Sequence, residues 1–210
     1  AAAAIGAEPG DFKHWADRFS VPLVIIDREA KLNSPEVYLV RSDEAQGMEL
    51  AIDHLYSRGC RKTGCIIHGK PGTGNADIRH EAICRILKKK GLPANDTLIH
   101  FGSDEEYLEI IGKLLRHRID SLFCPGGSGG ILAAYALSLF GRQIPEDISL
   151  IASEQTFFSR YGTPPQTTIT PDYKAMASSV ADVIESRIGG QKFPPRTVLP
   201  YLLIQRESVR

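Results

Sequence analysis

Short apolar runs alternate with amphipathic helical patterns along most of this chain, and the alternation restricts the fold more than any other feature of the sequence. The runs are rich in β-prone side chains, and the connections between runs and helices are short. This order of elements predicts an α/β fold in which helices cover both faces of a parallel sheet. We predict strands at 21–27, 64–68, 97–101, 121–124, 148–152 and 167–170, and a closing apolar segment at 197–205.

The predicted helices are recognised by apolar residues at helical spacing and by the residues at their ends. Asp43 is placed to cap a helix that stops at Gly59, and Gly141 suits the left-handed cap of an alanine-rich helix. Residues 1–7 are either the end of a strand or an appended leader. We predict helices at 11–19, 43–58, 75–90, 104–116, 130–140 and 172–187.

Polar residues follow several of the predicted strands. Open α/β sheets bind ligands at the carboxyl ends of their strands, and those ends share one edge. Each such residue taken alone is more often a helix cap or a solvated side chain, so their common position makes them candidates for one binding cleft. That position is shared by Asp27, the turn after His68 with Arg79 beyond it, Ser103 and Asp104, the glycine turn 126–130 and Glu154.

The glycine turn has the form of an enzymatic motif. The sequence Gly-Gly-Ser-Gly-Gly at 126–130 matches G-x-S-x-G and lies between a predicted strand and a predicted helix. A hydrolase of that fold needs its histidine after the serine, whereas all six histidines precede Ser128. We therefore predict no catalytic residue and keep a serine hydrolase as a minor alternative. The other interpretation is a turn that allows a close approach of the backbone and whose N–H groups can hold an anion.

The charge and hydropathy of the chain argue against two classes of partner. The chain has 25 basic and 25 acidic residues, so its charge does not favour direct binding of nucleic acid. It lacks an apolar run of the ~18 residues that a membrane helix needs, and it shows no secretion signal. We expect a cytoplasmic protein without a membrane partner.

No pattern in the sequence favours a metal or a cofactor. His80 lacks the second histidine of a zinc-binding helix, and the P-loop-like segment 64–71 has proline where magnesium binding requires serine or threonine. The cysteines form no C-x-x-C pair, which indicates reduced, buried thiols at Cys60, Cys65, Cys84 and Cys124.

Five segments resemble, in order and spacing, the effector-binding region of the LacI/GalR family of bacterial transcription regulators. The most specific are Ile-Pro-Glu-Asp-Ile-Ser-Leu-Ile at 144–151 and the Thr-Thr-Ile within 163–169. The other three lie at 21–28, 54–64 and 199–208, so the resemblance covers nearly the whole chain. It implies a periplasmic-binding-protein-like fold, with two parallel-sheet lobes joined by three crossovers and a small molecule bound between the lobes.

The resemblance also implies how the chain is divided. The N-terminal lobe corresponds to residues 1–40 and 169–190, and the C-terminal lobe to residues 41–168 and 191–210. The family's helix-turn-helix DNA reader and the start of its first lobe have no counterpart in the sequence, so DNA contact is expected only through a further domain. The strand-end positions and the resemblance together give the predicted effector-binding residues, which are Asp27, Arg28, Arg79, Ser103, Gly127, Ser128 and Glu154.

Two positions depart from the family pattern. Gly127 stands where the family has Asp or Asn, which removes an acceptor for hydroxyl groups, and Glu154 replaces the usual aspartate. The implied effectors are sugars, sugar phosphates or nucleobase-like molecules. Because Arg28 and Arg79 are both cationic, we expect an effector with an anionic group.

The family resemblance implies a ligand sensor that is not an enzyme. The resemblance implies that effector binding changes the relative orientation of the lobes. In a homodimer this change would control DNA binding, as in a repressor. A periplasmic-type solute-binding protein is the alternative, because it shares this fold.

Overall fold

The computed structural model of the protein describes residues 2–5, 22–28 and 37–210. The helix predicted at 11–19 lies outside these residues. The strands are β1 (Ala2–Ile5), β2 (Leu23–Ile26), β3 (Val37–Ser42), β4 (Thr63–His68), β5 (Ile99–Gly102), β6 (Ser121–Cys124), β7 (Ser149–Ser153), β8 (Thr167–Pro171), β9 (Arg196–Leu199) and β10 (Tyr201–Ile204). The helices are α1 (Glu44–Ser57), α2 (Gly74–Lys89), α3 (Tyr107–Arg116), α4 (Gly129–Leu139), α5 (Phe157–Tyr161) and α6 (Tyr173–Ile188), with a 3₁₀ turn (Asp104–Glu106) before α3.

The first compact unit comprises Ala1–Asp43 and Pro171–Tyr201 and contains a four-stranded sheet. Its strand order is β1-β2-β3-β9, and each neighbouring pair is parallel. Helix α6 packs against one face of this sheet, so the unit has a core of its own. The buried cluster that they form consists of Val24, Tyr38, Val40, Met176 and Val183.

The second compact unit comprises Glu44–Thr170 and Leu202–Arg210 and contains a six-stranded sheet of order β10-β8-β7-β6-β4-β5. The pairs from β5 through β4, β6 and β7 to β8 are parallel. Side chains alternate between the two faces, and α3 and α4 cover the face of Ile66, Leu122 and Leu150. The other face is also buried, and α1 and α2 contact the sheet there. The predicted α/β class with covered parallel sheets is confirmed.

Two elements arise from stretches in which the sequence patterns predicted none. Strand β3 (Val37–Ser42) contains a short apolar run, and its buried position between β2 and β9 stabilises it. Helix α5 (Phe157–Tyr161) is a five-residue helix inside the loop expected at 153–166. Both are short, so their local signals are weak and the surrounding tertiary contacts decide their conformation.

The closing segment predicted at 197–205 consists of two strands in different units. Pro200 has no N–H to donate, and it separates β9 from β10. Strand β9 pairs with β3 in the first sheet, whereas β10 joins the second sheet. The first unit therefore includes residues 191–201, which the sequence analysis placed in the C-terminal lobe.

Candidate functional site

The carboxyl ends of β4, β5, β6 and β7 lie side by side along one edge of the second sheet, because the neighbouring pairs are parallel. We call the loop residues at these ends, 68–70, 102–104, 125–130 and 153–155, the carboxyl edge. It includes four of the predicted site residues, Ser103, Gly127, Ser128 and Glu154. Arg79 reaches the same edge from α2.

Hydrogen bonds hold the glycine turn at the centre of the carboxyl edge. The N–H of Gly126 donates to Ser153 Oγ (2.7 Å), and the carbonyl of Gly127 accepts from Gln155 Nε2 (2.7 Å). Gly126 and Gly127 have φ angles of +88° and +54°, in the left-handed region that favours glycine. The backbone of the turn is therefore fixed against the end of β7.

The two glycines also have no room for a side chain. A Cβ at position 127 would lie 2.6 Å from Nδ1 of His68, and a Cβ at position 126 would collide with Nη1 of Arg79. Glycine thus allows two polar side chains of the protein itself to approach the turn. The sequence predicted a close approach to this backbone but did not identify the groups that make it.

Arg79 forms a bidentate ion pair with a buried carboxylate. Its Nε donates to Oε2 of Glu44 (2.6 Å) and its Nη2 donates to Oε1 (2.8 Å), while Asn75 Nδ2 donates to the same Oε1 (3.0 Å). Glu44 lies in the first turn of α1 and is only 2% exposed. The charge of Arg79 is therefore balanced inside the protein. Sequence analysis missed Glu44, whose contacts are remote in the chain.

Glu154 is also paired within the second unit. Its carboxylate accepts from Nη1 and Nη2 of Arg206 (2.9 and 3.0 Å) and from the hydroxyl of Thr168. Arg206 Nη1 donates as well to the carbonyl of Gln166 (2.6 Å). Glu154 thus joins β7 and β8 to the segment after β10, and a direct effector contact from it stays a prediction.

Ser103 and Ser128 both lie at the starts of helical segments. The N–H and Oγ of Ser103 donate to Oε2 of Glu106 (2.8 and 2.9 Å), and these hydrogen bonds lower the pKa of the Glu106 carboxyl. Ser128 precedes α4, and its carbonyl accepts from the N–H of Ile131 and of Leu132. Among the described residues, the Ser128 hydroxyl has no hydrogen bond to a histidine, so the geometry required of a hydrolase nucleophile is missing there.

His68 is a residue of the carboxyl edge that the sequence analysis did not propose as a ligand contact. It ends β4, and its side chain is 40% exposed. Its Nδ1 faces Gly127 and lies 3.4 Å from Oδ1 of Asp104. The sequence did contain a signal for this residue, because His68 stands at the end of a predicted buried strand. Its position opposite the glycine turn is visible only in the folded sheet.

Asp27 and Arg28 belong to the first unit and follow β2. Asp27 has a φ of 55°, and Arg28 Nη1 donates to the Asp27 carbonyl (3.4 Å). Both line a mostly apolar cavity of about 490 Å³ within that unit. The remaining lining residues of this cavity are Ile26, Tyr173, Met176, Ala177 and Val180.

The described residues provide no group of His, Cys, Asp and Glu side chains that could hold a metal ion. All four cysteines are free thiols; Cys60, Cys65 and Cys124 are buried as predicted, whereas Cys84 is only half-buried. Burial raises the pKa of Cys65 and of Cys124, which are fully buried. In the described part of the chain, no helix is both long enough and apolar enough to cross a membrane.

Comparison with known proteins places most of the chain in one family. The family model of the periplasmic binding protein-like domain matches residues 52–209. The transcriptional regulator DegA of Bacillus subtilis is 28% identical over 90% of this chain and 56% of its own length. The repressor PurR of Haemophilus influenzae is 27% identical over 91% of this chain and 58% of its own length. The chain thus spans little more than half the length of these relatives.

Solved structures show the same fold. The regulator CelR in complex with cellobiose has a TM-score of 0.83 and 25% identity, covering 98% of this chain and 64% of that protein. A sugar-binding LacI-family regulator of Escherichia coli, complexed with phosphate, has a TM-score of 0.82 and 20% identity, covering 99% of this chain and 76% of that one. These relatives are named as transcription regulators, not as enzymes or solute-binding proteins. The resemblance to LacI/GalR regulators is confirmed, and the chain belongs to the periplasmic binding protein-like domain family.

Proposed function

We propose that this chain is the effector-sensing domain of a bacterial transcription regulator whose DNA binding responds to a small molecule. The observation that carries the proposal is the alignment of about 90% of the chain with regulators named as helix-turn-helix proteins. DNA contact would come from a domain outside these residues, which agrees with their formal net charge of zero. Such a regulator works in the cytoplasm, where the DNA is.

The proposed effector site is the carboxyl edge of the second sheet. Its support is the convergence of a fixed glycine turn with polar side chains at the strand ends, the position at which parallel α/β sheets bind ligands. The proposed contacts in the second unit are Arg79, Ser103, Gly127, Ser128 and Glu154. Asp27 and Arg28, which follow β2 in the first unit, are proposed as further contacts from the family resemblance.

The pairing of charges within the second unit favours an uncharged effector. Arg79 is balanced by Glu44, and Glu154 by Arg206. The carboxylate of Asp104 lies on the same edge, 3.4 Å from His68. These contacts reduce the attraction that the edge exerts on an anionic effector. An anionic effector is what we expected from the sequence. Among sugars, sugar phosphates and nucleobase-like molecules, we therefore propose sugars.

A thermal-shift screen of sugars, sugar phosphates and nucleobases tests this function. Because a ligand at 100 times its Kd stabilises the folded state by about 2.7 kcal/mol, we expect a sugar to raise the Tm by several degrees. Arg142→Ala, a change in a separate cavity of the second unit, is the control and should leave the shift intact. Failure of every compound to shift the Tm would contradict the proposal.

We also propose that the regulator is a homodimer that associates through an aromatic patch of the second unit. The patch lies on the adjacent helices α4 and α5, and its side chains are between 55% and 65% exposed. Its members are Tyr135, Leu139, Phe157, Phe158 and Tyr161. A large exposed apolar patch favours association, and one patch per subunit suits a two-fold dimer.

Light scattering after gel filtration measures this association. We expect the wild-type chain to have about twice the monomer mass of 23.0 kDa and Phe157→Glu to have the monomer mass, because a carboxylate in a paired apolar patch must lose its hydration. Leu108→Glu, at an exposed leucine of α3 outside the patch, is the matched control and should remain dimeric. A monomeric wild type, or a dimeric Phe157→Glu, would contradict this interface.

A further inference from the structure

The imidazole ring of His68 fills the space that a side chain at position 127 would occupy. A Cβ built on Gly127 would lie 2.6 Å from Nδ1, 2.7 Å from Cγ and 3.0 Å from Cε1 of that ring. All three distances are well below an ordinary van der Waals contact of roughly 3.5 Å. Positions 68 and 127 therefore cannot both carry these side chains without rearrangement, and the polar group at this point of the carboxyl edge is His68.

The contacts of the His68 ring define which of its atoms can meet a ligand. Nδ1 is shielded from solvent and has no hydrogen-bond partner of good geometry among the described residues, although Oδ1 of Asp104 lies 3.4 Å away. The side chain is nevertheless 40% exposed. Because the ring lies against Gly127 through Nδ1, Cγ and Cε1, the edge that points away from the turn is formed by Nε2 and Cδ2.

The nearby carboxylate assigns a tautomer to His68. A lone pair on Nδ1 would be repelled by the Asp104 carboxylate, whereas an N–H there is attracted to it. We therefore place the proton of the neutral ring on Nδ1. Nε2 then carries a lone pair on the exposed edge and is a hydrogen-bond acceptor.

The charged groups around His68 select against an anionic ligand. Asp104 is beside the ring, and Glu105 is within electrostatic reach of it. Arg79, the cation over the adjacent Gly126, is paired with Glu44, and Lys70 follows the strand two residues later. The group best suited to an acceptor nitrogen between carboxylates is an uncharged hydroxyl, which donates a hydrogen bond and brings no negative charge.

We propose that His68 is the specificity-determining residue of this edge and accepts, at Nε2, a hydrogen bond from a hydroxyl group of an uncharged sugar. The inference rests on the proposed function, because it requires the effector to bind at the carboxyl edge. It adds the residue that selects the ligand and the hydrogen-bond role of that residue.

Calorimetric titration of three variants with ribose, cellobiose, other uncharged sugars and ribose 5-phosphate tests the inference. His68→Phe keeps a ring against Gly127 and removes both nitrogens, so we expect the affinity for the sugar that binds the wild type to fall about five- to tenfold, the effect of one hydrogen bond. His68→Gln retains an acceptor and should bind within about threefold of wild type. His117→Phe, at an exposed histidine after α3, is the matched control and should bind as the wild type does.

The outcomes separate this inference from the proposed function. If no sugar or sugar phosphate binds the wild type, the proposed sugar effector fails and the inference fails with it; the proposed sensing function itself fails only if the nucleobases do not bind either. If a sugar binds and His68→Phe binds it equally well, only the role of His68 is wrong. Tighter binding of ribose 5-phosphate than of any uncharged sugar would show that the ligand is not an uncharged sugar.

A stability measurement tests the packing of His68 and position 127 without any ligand. Asn tolerates the left-handed backbone at 127, so the loss caused by Gly127→Asn should come mainly from its collision with the ring. We expect Gly127→Asn to lower the denaturation midpoint clearly less in the His68→Ala background than in the wild type. An equal loss in both backgrounds would show that the ring does not exclude a side chain at 127.

Discussion

Two charged residues near the carboxyl edge, Arg79 and Glu154, direct their hydrogen bonds to partners within the protein. Arg79 is bound in bidentate geometry to Glu44, which is almost fully buried, and Glu154 is bound in the same way to Arg206. A buried carboxylate is stable only when its charge and hydrogen bonds are compensated. The charges of Arg79 and Glu154 are therefore compensated within the protein, whereas the side chain of His68 is 40% exposed.

Arg79→Ala should destabilise the second unit strongly. The substitution leaves the Glu44 carboxylate buried without its cation, a change that costs about 3–5 kcal/mol. Arg85→Ala, an exposed arginine of the same helix α2, should change stability by less than about 0.5 kcal/mol. Chemical denaturation of both variants gives these values, and equal midpoints for the two would contradict a structural role of the Arg79–Glu44 pair.

The buried thiols should make the protein less stable at alkaline pH. Burial raises the pKa of Cys65 and Cys124 above the ordinary value of 9.0, so the folded state keeps protons that the unfolded state releases. The free energy of unfolding therefore falls as pH rises above about 9, by about 1.4 kcal/mol per pH unit for each thiol. Denaturation between pH 8 and 10.5 should show a shallower decline for Cys124→Ala; identical slopes would contradict this origin.

For single residues, the sequence predicted which side chains lie near the carboxyl edge better than it predicted their hydrogen-bond partners. Arg79 was recognised because it matches an arginine of the family pattern, and Glu154 because it follows a predicted strand. Their partners are 35 and 52 residues away in the chain, and only the folded sheet brings them together. The sequence indicated an anionic effector from Arg28 and Arg79, because it did not reveal that Arg79 pairs with Glu44.

The elements at the centre of the proposed site are the strand β6, the glycine turn and the helix α4. Strand β6 ends in the turn, and the first glycines of α4 lie against the rest of the second unit. Gln166 Nε2 donates to the carbonyl of Gly130 (2.9 Å), and both groups are buried. The start of α4 is therefore a tightly packed junction that holds the turn in place.

Gly130→Ala should destabilise this junction even though alanine is the better helix former. Its Cβ would lie 2.5 Å from Oε1 of Gln166 and 2.8 Å from the Cβ of Ala152, an overpacking that costs about 1–3 kcal/mol. Ser138→Ala, an exposed change on the same helix, should be neutral or slightly stabilising. Chemical denaturation gives the unfolding midpoints of both variants. An unchanged midpoint for Gly130→Ala would contradict the tight packing of this junction.

The long, periodic elements were predictable because each carries its own local signal. Strand β6 and helix α4 begin and end within one residue of the prediction, and Gly141 has the predicted left-handed φ of 65°. Strand β3 and helix α5 were missed, since a short run shows no clear period. The division of the closing segment between two sheets depends on Pro200 and on pairing with β3, which no local pattern reveals.

At the scale of the whole molecule, each unit has a parallel sheet with a core of its own, and the chain passes from one unit to the other at three points. The family match extends over residues 52–209, which include all of the carboxyl edge. We propose that an effector binds at that edge of the second sheet and that this binding is the signal to which the whole regulator responds.

Amide hydrogen exchange, measured with and without a sugar that raises the Tm, tests this claim most directly. We predict slower exchange at residues 68–70, 126–130 and 154–155 when the sugar is bound, because these amides form the carboxyl edge. The second unit also has a cavity of about 400 Å³ lined by residues such as Arg142, Ile144 and Glu146. Protection at that cavity with no change at the carboxyl edge would contradict the proposed site.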